Sequence, residues 1–385
     1  MAEHDESRKQ PGSWGKLSGR HRVVATLVFL AVSAGMIAWI GWNWGRASGR
    51  RFAIHGPSMA PTLLSDHHVV ECAVCELEWP VTTSLDDSPV FCFHCGQQAH
   101  VSEKIHAASQ VLVKEPMAAS EALRSGDVVI LAGESLLRVK RIAAVPGDTV
   151  ELNGAYLMVN GQSVVQRMGP APQLDLPLPL LTFEWDDRRM QSRWIGQGWN
   201  RSDQRIWESS DSDWLVYQHR SIHQQNQPSI VWDDYPYNTD VNRKLQPASR
   251  YVFKAEVACE GEVVLEVAFW LKQQTYGVVQ TVTGSTEFAV SSDDATALAG
   301  SVVDEQCPVA IRVLEGHAHL SKLEVARQIE YRLRPHDDRT FYPIQLGKGE
   351  YFVLGDNVPV SVDSRDFGVI SSENIMGKVE LLQPR

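Results

Sequence analysis

The chain has 385 residues, of which 43% are hydrophobic and 22% are charged, and its formal net charge is −11. This length exceeds that of one ordinary domain and predicts two or three folded units with a globular composition. The acidic balance, with no basic run in the sequence, argues against nucleic acid as a partner.

The first 42 residues predict a tail and a membrane anchor. Residues 1–22 are polar and form a predicted cytoplasmic tail, and residues 23–42 carry no formal charge. At about 1.5 Å per residue, such a helix crosses a hydrocarbon core of about 30 Å. A buried core helix and a cleaved signal peptide are the alternatives, but the length of the run and the tryptophans at its end favour a retained anchor. Basic residues on the N-terminal flank place the rest of the chain on the exported face of the cell membrane.

A constrained loop follows the predicted anchor. Residues 54–63 place Ser58 between Pro57 and Pro61, just after Gly56. Glycine and proline at these positions predict a tight turn that holds the serine in one orientation. By itself the loop is interpreted as an ordinary turn. Whether Ser58 has a functional role depends on which residues the rest of the chain supplies.

Cysteines come next, in two C-x2-C pairs separated by sixteen residues: Cys72, Cys75, Cys92 and Cys95. This spacing is typical of a four-cysteine zinc ribbon and predicts a small insertion over residues 71–100. A structural zinc ion is favoured, and two disulfides stay open because the exported face is oxidising. An iron site, or no bound metal and no disulfide, stays open as well. For Cys259 and Cys307 the sequence leaves buried thiols and one further bridge as alternatives.

Residues 110–162 predict short strands separated by tight turns. The predicted strands are 128–131, 136–145, 149–152 and 156–159. Their boundaries are marked by turn sequences at 125–127 and 146–148, and Asn160-Gly161 predicts a hairpin. Near the end of the chain, a strand at 351–354 precedes a structured loop rich in Gly, Pro, Asn and Asp.

Residues 166–338 differ in character and predict a tryptophan-rich β-sandwich. Alternating apolar runs at 251–257, 263–270, 276–282 and 309–313 predict its short strands. The tryptophans are interpreted as core residues rather than as a carbohydrate-binding surface. Asp233, Asp234 and Asn238 are residue types that bind calcium, but a solvated acidic loop is the preferred interpretation.

A nucleophilic serine needs a base, and no His/Asp pair stands in a recognisable relation to Ser58. A lysine activates a serine when its amine is neutral, which requires burial. Lys140 lies among apolar residues, but Arg138 shares its side of the alternation. The residues alone therefore indicate an ordinary edge-strand lysine.

Three blocks in order after the anchor resemble bacterial type I signal peptidases, the membrane-anchored Ser/Lys endopeptidases. The blocks are GPSMAPTL at 56–63, RSGDVVI at 124–130 with RVKRIAAVPGD at 138–148, and GDN at 355–357 with SVDSR at 361–365. The resemblance implies a mainly β protein with a β-barrel-like antiparallel core. That core would comprise residues 50–70, 101–165 and 339–385, interrupted by the zinc-ribbon-like and sandwich-like insertions.

The resemblance also implies roles for individual residues. Ser58 would be the nucleophile, with its backbone N–H donating to the oxyanion, and Lys140 would be the general base. Catalysis would need no cofactor. The supporting residues implied are Ser361, which orients the lysine amine, Asp363 and Arg365, which form an ion pair, and Ile54 and Met59, which line shallow substrate pockets.

The expected partners are the signal peptides of exported preproteins and the lipid bilayer. A substrate would bind extended, as an added strand. One alternative is a catalytically inactive membrane-anchored adhesion protein that binds through the sandwich, and another is a soluble self-cleaving Ser/Lys protease. The presence of Ser58, Lys140 and Ser361 argues against the first, and the anchor argues against the second.

Overall fold

A computed structural model describes the chain at residue 36 and over residues 50–74, 76–83, 89–93, 95–113, 122–133, 137–169, 174–178, 193–203, 206–209, 212–221, 224, 227–238, 241–300 and 302–381. Two compact units, 1–50 and 51–385, divide the chain. Among the described residues, no helix has the length and apolarity needed to span a membrane. Apart from residue 36, the predicted anchor at 23–42 lies outside the described residues, as does the predicted tail.

The described chain is mainly β, as predicted. In chain order its strands are β1 (Arg50–Ala53), β2 (His67–Glu71), β3 (Glu78–Thr82), β4 (His100–His106), β5 (Gln110–Val113), β6 (Val128–Leu131), β7 (Arg138–Ala144), β8 (Thr149–Asn153), β9 (Tyr156–Val159), β10 (Gln162–Ser163), β11 (Asp175–Pro177), β12 (Trp194–Ile195), β13 (Asn200–Asp203), β14 (Ile206–Ser209), β15 (Leu215–Tyr217), β16 (Arg220–Ser221), β17 (Gln227–Pro228), β18 (Tyr251–Leu271), β19 (Gln274–Ser291), β20 (Thr296–Ala297), β21 (Val309–Glu315), β22 (Ala318–Gln328), β23 (Ile344–Gln345), β24 (Glu350–Leu354), β25 (Ile370–Ser371) and β26 (Ile375–Leu381). The short helices are α1 (Val164–Met168), α2 (Ser364–Phe367) and the 3-10 turns Ser292–Asp294 and Ser372–Asn374.

Two sheets form the core, and the larger one contains the strands β6, β7 and β24 of the motif blocks. The larger has seven strands in the order β1-β5-β26-β6-β7-β24-β25, and the smaller has four in the order β10-β9-β8-β23. Strands β7 and β24 lie side by side although about 200 residues separate them in sequence, because the chain returns to the core after residue 338. The predicted hairpin is confirmed: Asn160 and Gly161, both at positive φ, join β9 to β10.

The tryptophan-rich module contains one hydrogen-bonded sheet of ten strands. Runs 251–257 and 263–270, predicted as separate strands, form the single 21-residue strand β18 with a register shift between Ala258 and Glu262. The first part of β18 pairs with β22 and the second with β21, while β19 runs beside both. Trp194, Trp199 and Trp207 are buried in the module's apolar cluster, in agreement with their interpretation as core residues.

The module also packs into the core. One buried cluster combines core residues such as Leu157 and Phe352 with Tyr235, Tyr331 and Leu333, which come from the predicted 166–338 insertion. Burial of shared apolar surface stabilises this arrangement roughly in proportion to its area. The predicted boundaries of the insertions stay a prediction. Residues of the predicted 166–338 insertion nevertheless share a buried cluster with residues of the predicted peptidase core.

A separate, three-stranded sheet carries Cys72, Cys92 and Cys95. Its order is β3-β2-β4, and its strands pair antiparallel. Cys72 follows β2 directly, and Cys92 and Cys95 lie in the connection between β3 and β4. All three side chains are buried together with Val70 and Trp79.

Candidate active site

The loop after β1 holds Ser58 above an apolar base. Ile54 and Met59 are buried in a cluster with Leu63 and Ile130, whereas Ser58 itself is partly exposed. The loop is closed by backbone hydrogen bonds, including one of 2.9 Å from Leu63 N–H to the Met59 carbonyl. Burial of Ile54 and Met59 therefore anchors the loop to the core, while Ser58 stays partly exposed to solvent. That Ile54 and Met59 line a substrate pocket stays a prediction.

Lys140 is buried and faces Ser361. Its side chain is 3% exposed, and its Nζ donates a 3.1 Å hydrogen bond to Ser361 Oγ, which is fully buried. Lys140 pairs in register with Val129 of β6, while β24 pairs with the other edge of β7. The interpretation of Lys140 as an edge-strand lysine is therefore wrong, because β24 covers the edge that the local pattern left open.

Burial lowers the pKa of the Lys140 amine from its ordinary 10.5 to about 8. Desolvation is the main cause, since it disfavours the charged form. Asp363 acts in the opposite direction without offsetting it, and Arg138 and Arg365 lower the pKa further. The amine is thus neutral in a large fraction of molecules near pH 8, which is what a general base requires.

Gly355 brings Ser58 and Ser361 close together. A Cβ at this position would collide with Ser361 Oγ and would lie 2.5 Å from the Ser58 carbonyl oxygen. Ser361 and the Ser58 carbonyl therefore both lie against Gly355, and Ser361 also contacts Lys140. Only glycine leaves room for this approach.

Asp363 and Arg365 form the predicted ion pair. The guanidinium donates two hydrogen bonds to the carboxylate, of 2.9 and 2.8 Å, and both side chains are buried. Burial alone would raise the pKa of Asp363, but hydrogen bonding and charge from Arg365 lower it overall. Asp363 also caps α2 and accepts from Gly355 N–H at 3.0 Å, so the pair fixes the backbone on either side of Ser361.

A second buried ion pair joins the three motif blocks. Arg141, next to Lys140, donates to both carboxylate oxygens of Asp356 at 2.8 and 2.6 Å. Thr62 of the Ser58 loop donates to the same carboxylate at 2.5 Å, and Tyr331 donates at 2.7 Å. This network was not predicted from the sequence, although opposite charges in two motif blocks were a signal for it.

Asn357 fastens the Ser58 loop. Its backbone N–H donates to the Ser58 carbonyl at 3.1 Å, and its side-chain Nδ2 donates to the Pro57 carbonyl at 3.0 Å. The same side chain pairs with Asn238 through two hydrogen bonds of 2.8 Å. Asn357 thus connects the Ser58 loop to the tryptophan-rich module.

The calcium interpretation of Asp233, Asp234 and Asn238 finds no support in these contacts. Asp233 is paired with Arg243 at 3.0 Å and also with Arg332, and it accepts from a backbone N–H. The amide of Asn238 is used by Asn357. Two arginines already supply the positive charge that a cation would bring.

Three described cysteines come together in the small sheet. The sulfur atoms of Cys72, Cys92 and Cys95 all lie within 4.8 Å of one another, with 3.4 Å between Cys72 and Cys95. Tetrahedral zinc with Zn–S bonds of about 2.3 Å places its sulfurs about 3.8 Å apart, so the cluster fits zinc. These three are free thiols, and Cys75 lies outside the described residues.

Cys259 and Cys307 are free thiols as well, so the open question of a bridge between them is answered. Both are half-buried. Burial raises the pKa of the Cys307 thiol to about 11, with Asp304 adding to the effect. Such a thiol is protonated at neutral pH and unreactive.

The comparisons with known proteins agree with the motif blocks. The family model described as signal peptidase, peptidase S26 matches residues 22–177 and 311–383, more than half of the chain. The chain belongs to this family. The match runs through the cysteine-containing segment and leaves out residues 178–310, which hold most of the tryptophan-rich module.

Curated relatives match over short segments. A stretch of 39 residues is 49% identical to signal peptidase I S of Bacillus subtilis (strain 168) and covers 10% of this chain and 21% of that protein. A stretch of 34 residues is 59% identical to signal peptidase IB of Staphylococcus aureus (strains N315 and COL) and covers 9% and 18%. These matches span about a fifth of the length of the relatives.

Proposed function

We propose that this protein is a serine endopeptidase that removes signal peptides from exported preproteins, with Ser58 as nucleophile and Lys140 as general base. The observation that carries the proposal is the buried Lys140 amine, hydrogen-bonded to Ser361 beside the Ser58 loop. A buried lysine with a lowered pKa serves as a base at a pH where exposed lysines are charged.

The proposed reaction proceeds in two steps. Ser58 Oγ attacks the carbonyl carbon of the scissile bond while its proton passes to Lys140 Nζ. The C–N bond then breaks, Lys140 returns the proton to the leaving amine, and an acyl ester remains on Ser58. Water attacks this ester and loses its proton to Lys140, which then protonates Ser58. Ser361 holds the amine in place, and the Ser58 backbone N–H stabilises the oxyanion.

The proposed substrate is an extended segment with small side chains at the cleavage site. Shallow pockets lined by Ile54 and Met59 would exclude larger residues. The predicted anchor would place the site at the exported face of the cell membrane, where the signal peptide's own helix lies in the bilayer. Tethering both partners to one surface raises their effective concentration. The burial of Trp194, Trp199 and Trp207 argues against the alternative, adhesion through exposed tryptophans in this part of the described module.

Replacing Ser58 with alanine is expected to leave an exported preprotein uncut, because the acyl ester can no longer form. The measurement is conversion of precursor to mature protein by full-length protein in membrane vesicles, with the cleavage site read by mass spectrometry. Ser285→Ala is the matched control, since Ser285 is an exposed serine on β19. Processing by Ser58→Ala at the control rate would refute the proposal.

We further propose that the cysteine cluster holds a structural zinc ion, with Cys75 as the fourth ligand. Four thiolate ligands leave no open position, so the ion would stabilise the small sheet and take no part in catalysis.

Metal analysis tests the zinc proposal. The purified full chain is expected to contain about one zinc ion per molecule. Cys92→Ser is expected to lose most of it, because a missing thiolate opens the tetrahedron, whereas Cys259→Ser, at a free thiol outside the cluster, is expected to keep it. Absence of metal, together with cysteines that alkylate only after reduction, would show disulfides instead.

A further inference from the structure

A turn of the tryptophan-rich module reaches into the candidate active site. Residues 235–238 direct three side chains onto the core. Tyr235 donates through its hydroxyl to the Asp356 carbonyl at 3.4 Å, and the Tyr237 hydroxyl lies 3.0 Å from Ser65 Oγ, just beyond the Ser58 loop. The third side chain, Asn238, pairs with Asn357. The turn therefore contacts the end of the nucleophile loop and the motif that fastens it.

The pairing with Asn238 completes the partners of both Asn357 amide protons and gives the amide oxygen a donor. Asn357 Nδ2 has two protons, which go to Asn238 Oδ1 at 2.8 Å and to the Pro57 carbonyl at 3.0 Å. Asn357 Oδ1 accepts from Asn238 Nδ2 at 2.8 Å. A reversed Asn357 amide would place its oxygen against the Pro57 carbonyl oxygen, and the two acceptors would repel each other. The orientation of this amide is thus fixed from both sides.

The Asn238 contact is a property of this chain's own module. Residues 235–238 lie outside the segments that match the signal peptidase family, whereas Asn357 lies inside them. We propose that Asn238 is a positioning residue, which holds Ser58 in its reactive orientation by locking the Asn357 side chain onto the carbonyl of Pro57, the residue before Ser58. The inserted module is then part of the catalytic apparatus. This inference rests on the proposed peptidase function.

A small displacement of the nucleophile has a large kinetic effect. Misplacement of a reacting group by about 1 Å costs about 100-fold in rate. Without Asn238, the Asn357 side chain loses two of its three hydrogen bonds and is free to rotate, so the Pro57 carbonyl loses its fixed partner. The chemical step is expected to slow, while the substrate pocket, built on Ile54 and Met59, keeps its shape.

The test compares three variants of the full-length protein in peptide cleavage. Asn238→Ala removes the amide, and Asn238→Asp keeps its size but places a carboxylate oxygen opposite Asn357 Oδ1. Both are expected to lower kcat by about 10- to 100-fold with KM within about threefold of wild type. Asn242→Ala is the matched control, an exposed asparagine four residues further on, and is expected to match the wild type.

Amide hydrogen exchange over residues 54–63 supplies a readout that does not depend on cleavage. Exchange there is expected to be faster in both Asn238 variants and unchanged in Asn242→Ala. Wild-type kcat and wild-type exchange in Asn238→Asp and Asn238→Ala would overturn the inference. If the wild-type chain itself cleaves no precursor, the proposed function fails, and the exchange over residues 54–63 alone decides whether Asn238 positions the loop.

Discussion

Replacing Lys140 with methionine is expected to abolish processing and, at neutral pH, to make the protein more stable. Methionine has nearly the length of lysine and fills the same buried space without an amine. The wild-type amine is 3% exposed, and its pKa falls from 10.5 to about 8. Folding therefore has to bury a charge at neutral pH, and the variant removes that cost together with the proposed general base.

The size and the pH window of this effect follow from the pKa. Below pH 8 the lysine is protonated in both the folded and the unfolded chain, so the full cost of burying its charge is present. Between about pH 8 and 10.5 the unfolded chain binds more protons than the folded one, and wild-type stability rises with pH. Lys140→Met is expected to gain about 2–4 kcal/mol at pH 7, shrinking toward zero above pH 10.5.

Denaturant unfolding at pH 7 and pH 10.5, together with precursor processing, measures both effects. Lys348→Met is the matched control, because Lys348 is exposed and lies in the same predicted peptidase core segment as Ser361. Its replacement is expected to change neither the stability nor the processing. A variant that keeps processing precursor would exclude Lys140 as the base. Equal stability of Lys140→Met and wild type at pH 7 would show that the amine carries no buried charge.

The outcome for Lys140 shows what a sequence pattern can and cannot predict. The strands at 128–131 and 156–159 and the hairpin at Asn160-Gly161 were predictable, because alternation and turn chemistry are local properties. The burial of Lys140 was not, since it depends on β24 and on Ser361, more than 200 residues away. Local alternation predicts which face of a strand a residue occupies. It does not predict which distant segment of the chain packs against that face.

The site residues also differ in whether local sequence could predict them. Ser58, Ser361 and the Asp363–Arg365 pair were found because they lie in contiguous motif blocks. Asn238 was named from the sequence only as a residue type that binds calcium, with a solvated acidic loop preferred, because a single amide in a loop has no periodicity or spacing that predicts its partner. The single strand β18 was divided in two for a similar reason, since the polar residues near its register shift resemble a turn.

Replacing Asp356 with asparagine is expected to destabilise the protein by about 3–5 kcal/mol, because it leaves the Arg141 charge buried without a partner. Both side chains are almost fully buried, at 3% and 0% exposure, and the carboxylate also accepts from Thr62 and Tyr331. The same network ties the Ser58 loop to β7 and to the loop after β24. Processing is therefore expected to fall along with the unfolding midpoint.

A double variant separates the charge effect from loss of contacts. Adding Arg141→Met to Asp356→Asn removes the unpaired guanidinium, so part of the lost stability is expected to return, and the double-mutant cycle measures the coupling. Glu256→Gln is the control, since it breaks the exposed Glu256–Lys322 pair and is expected to leave the unfolding midpoint unchanged. If Asp356→Asn unfolded at the wild-type midpoint, the pair would not be what holds the three motif blocks together. Recovery of stability without recovery of processing in the double variant would show that Asp356 also orients Asn357 and, through it, Ser58.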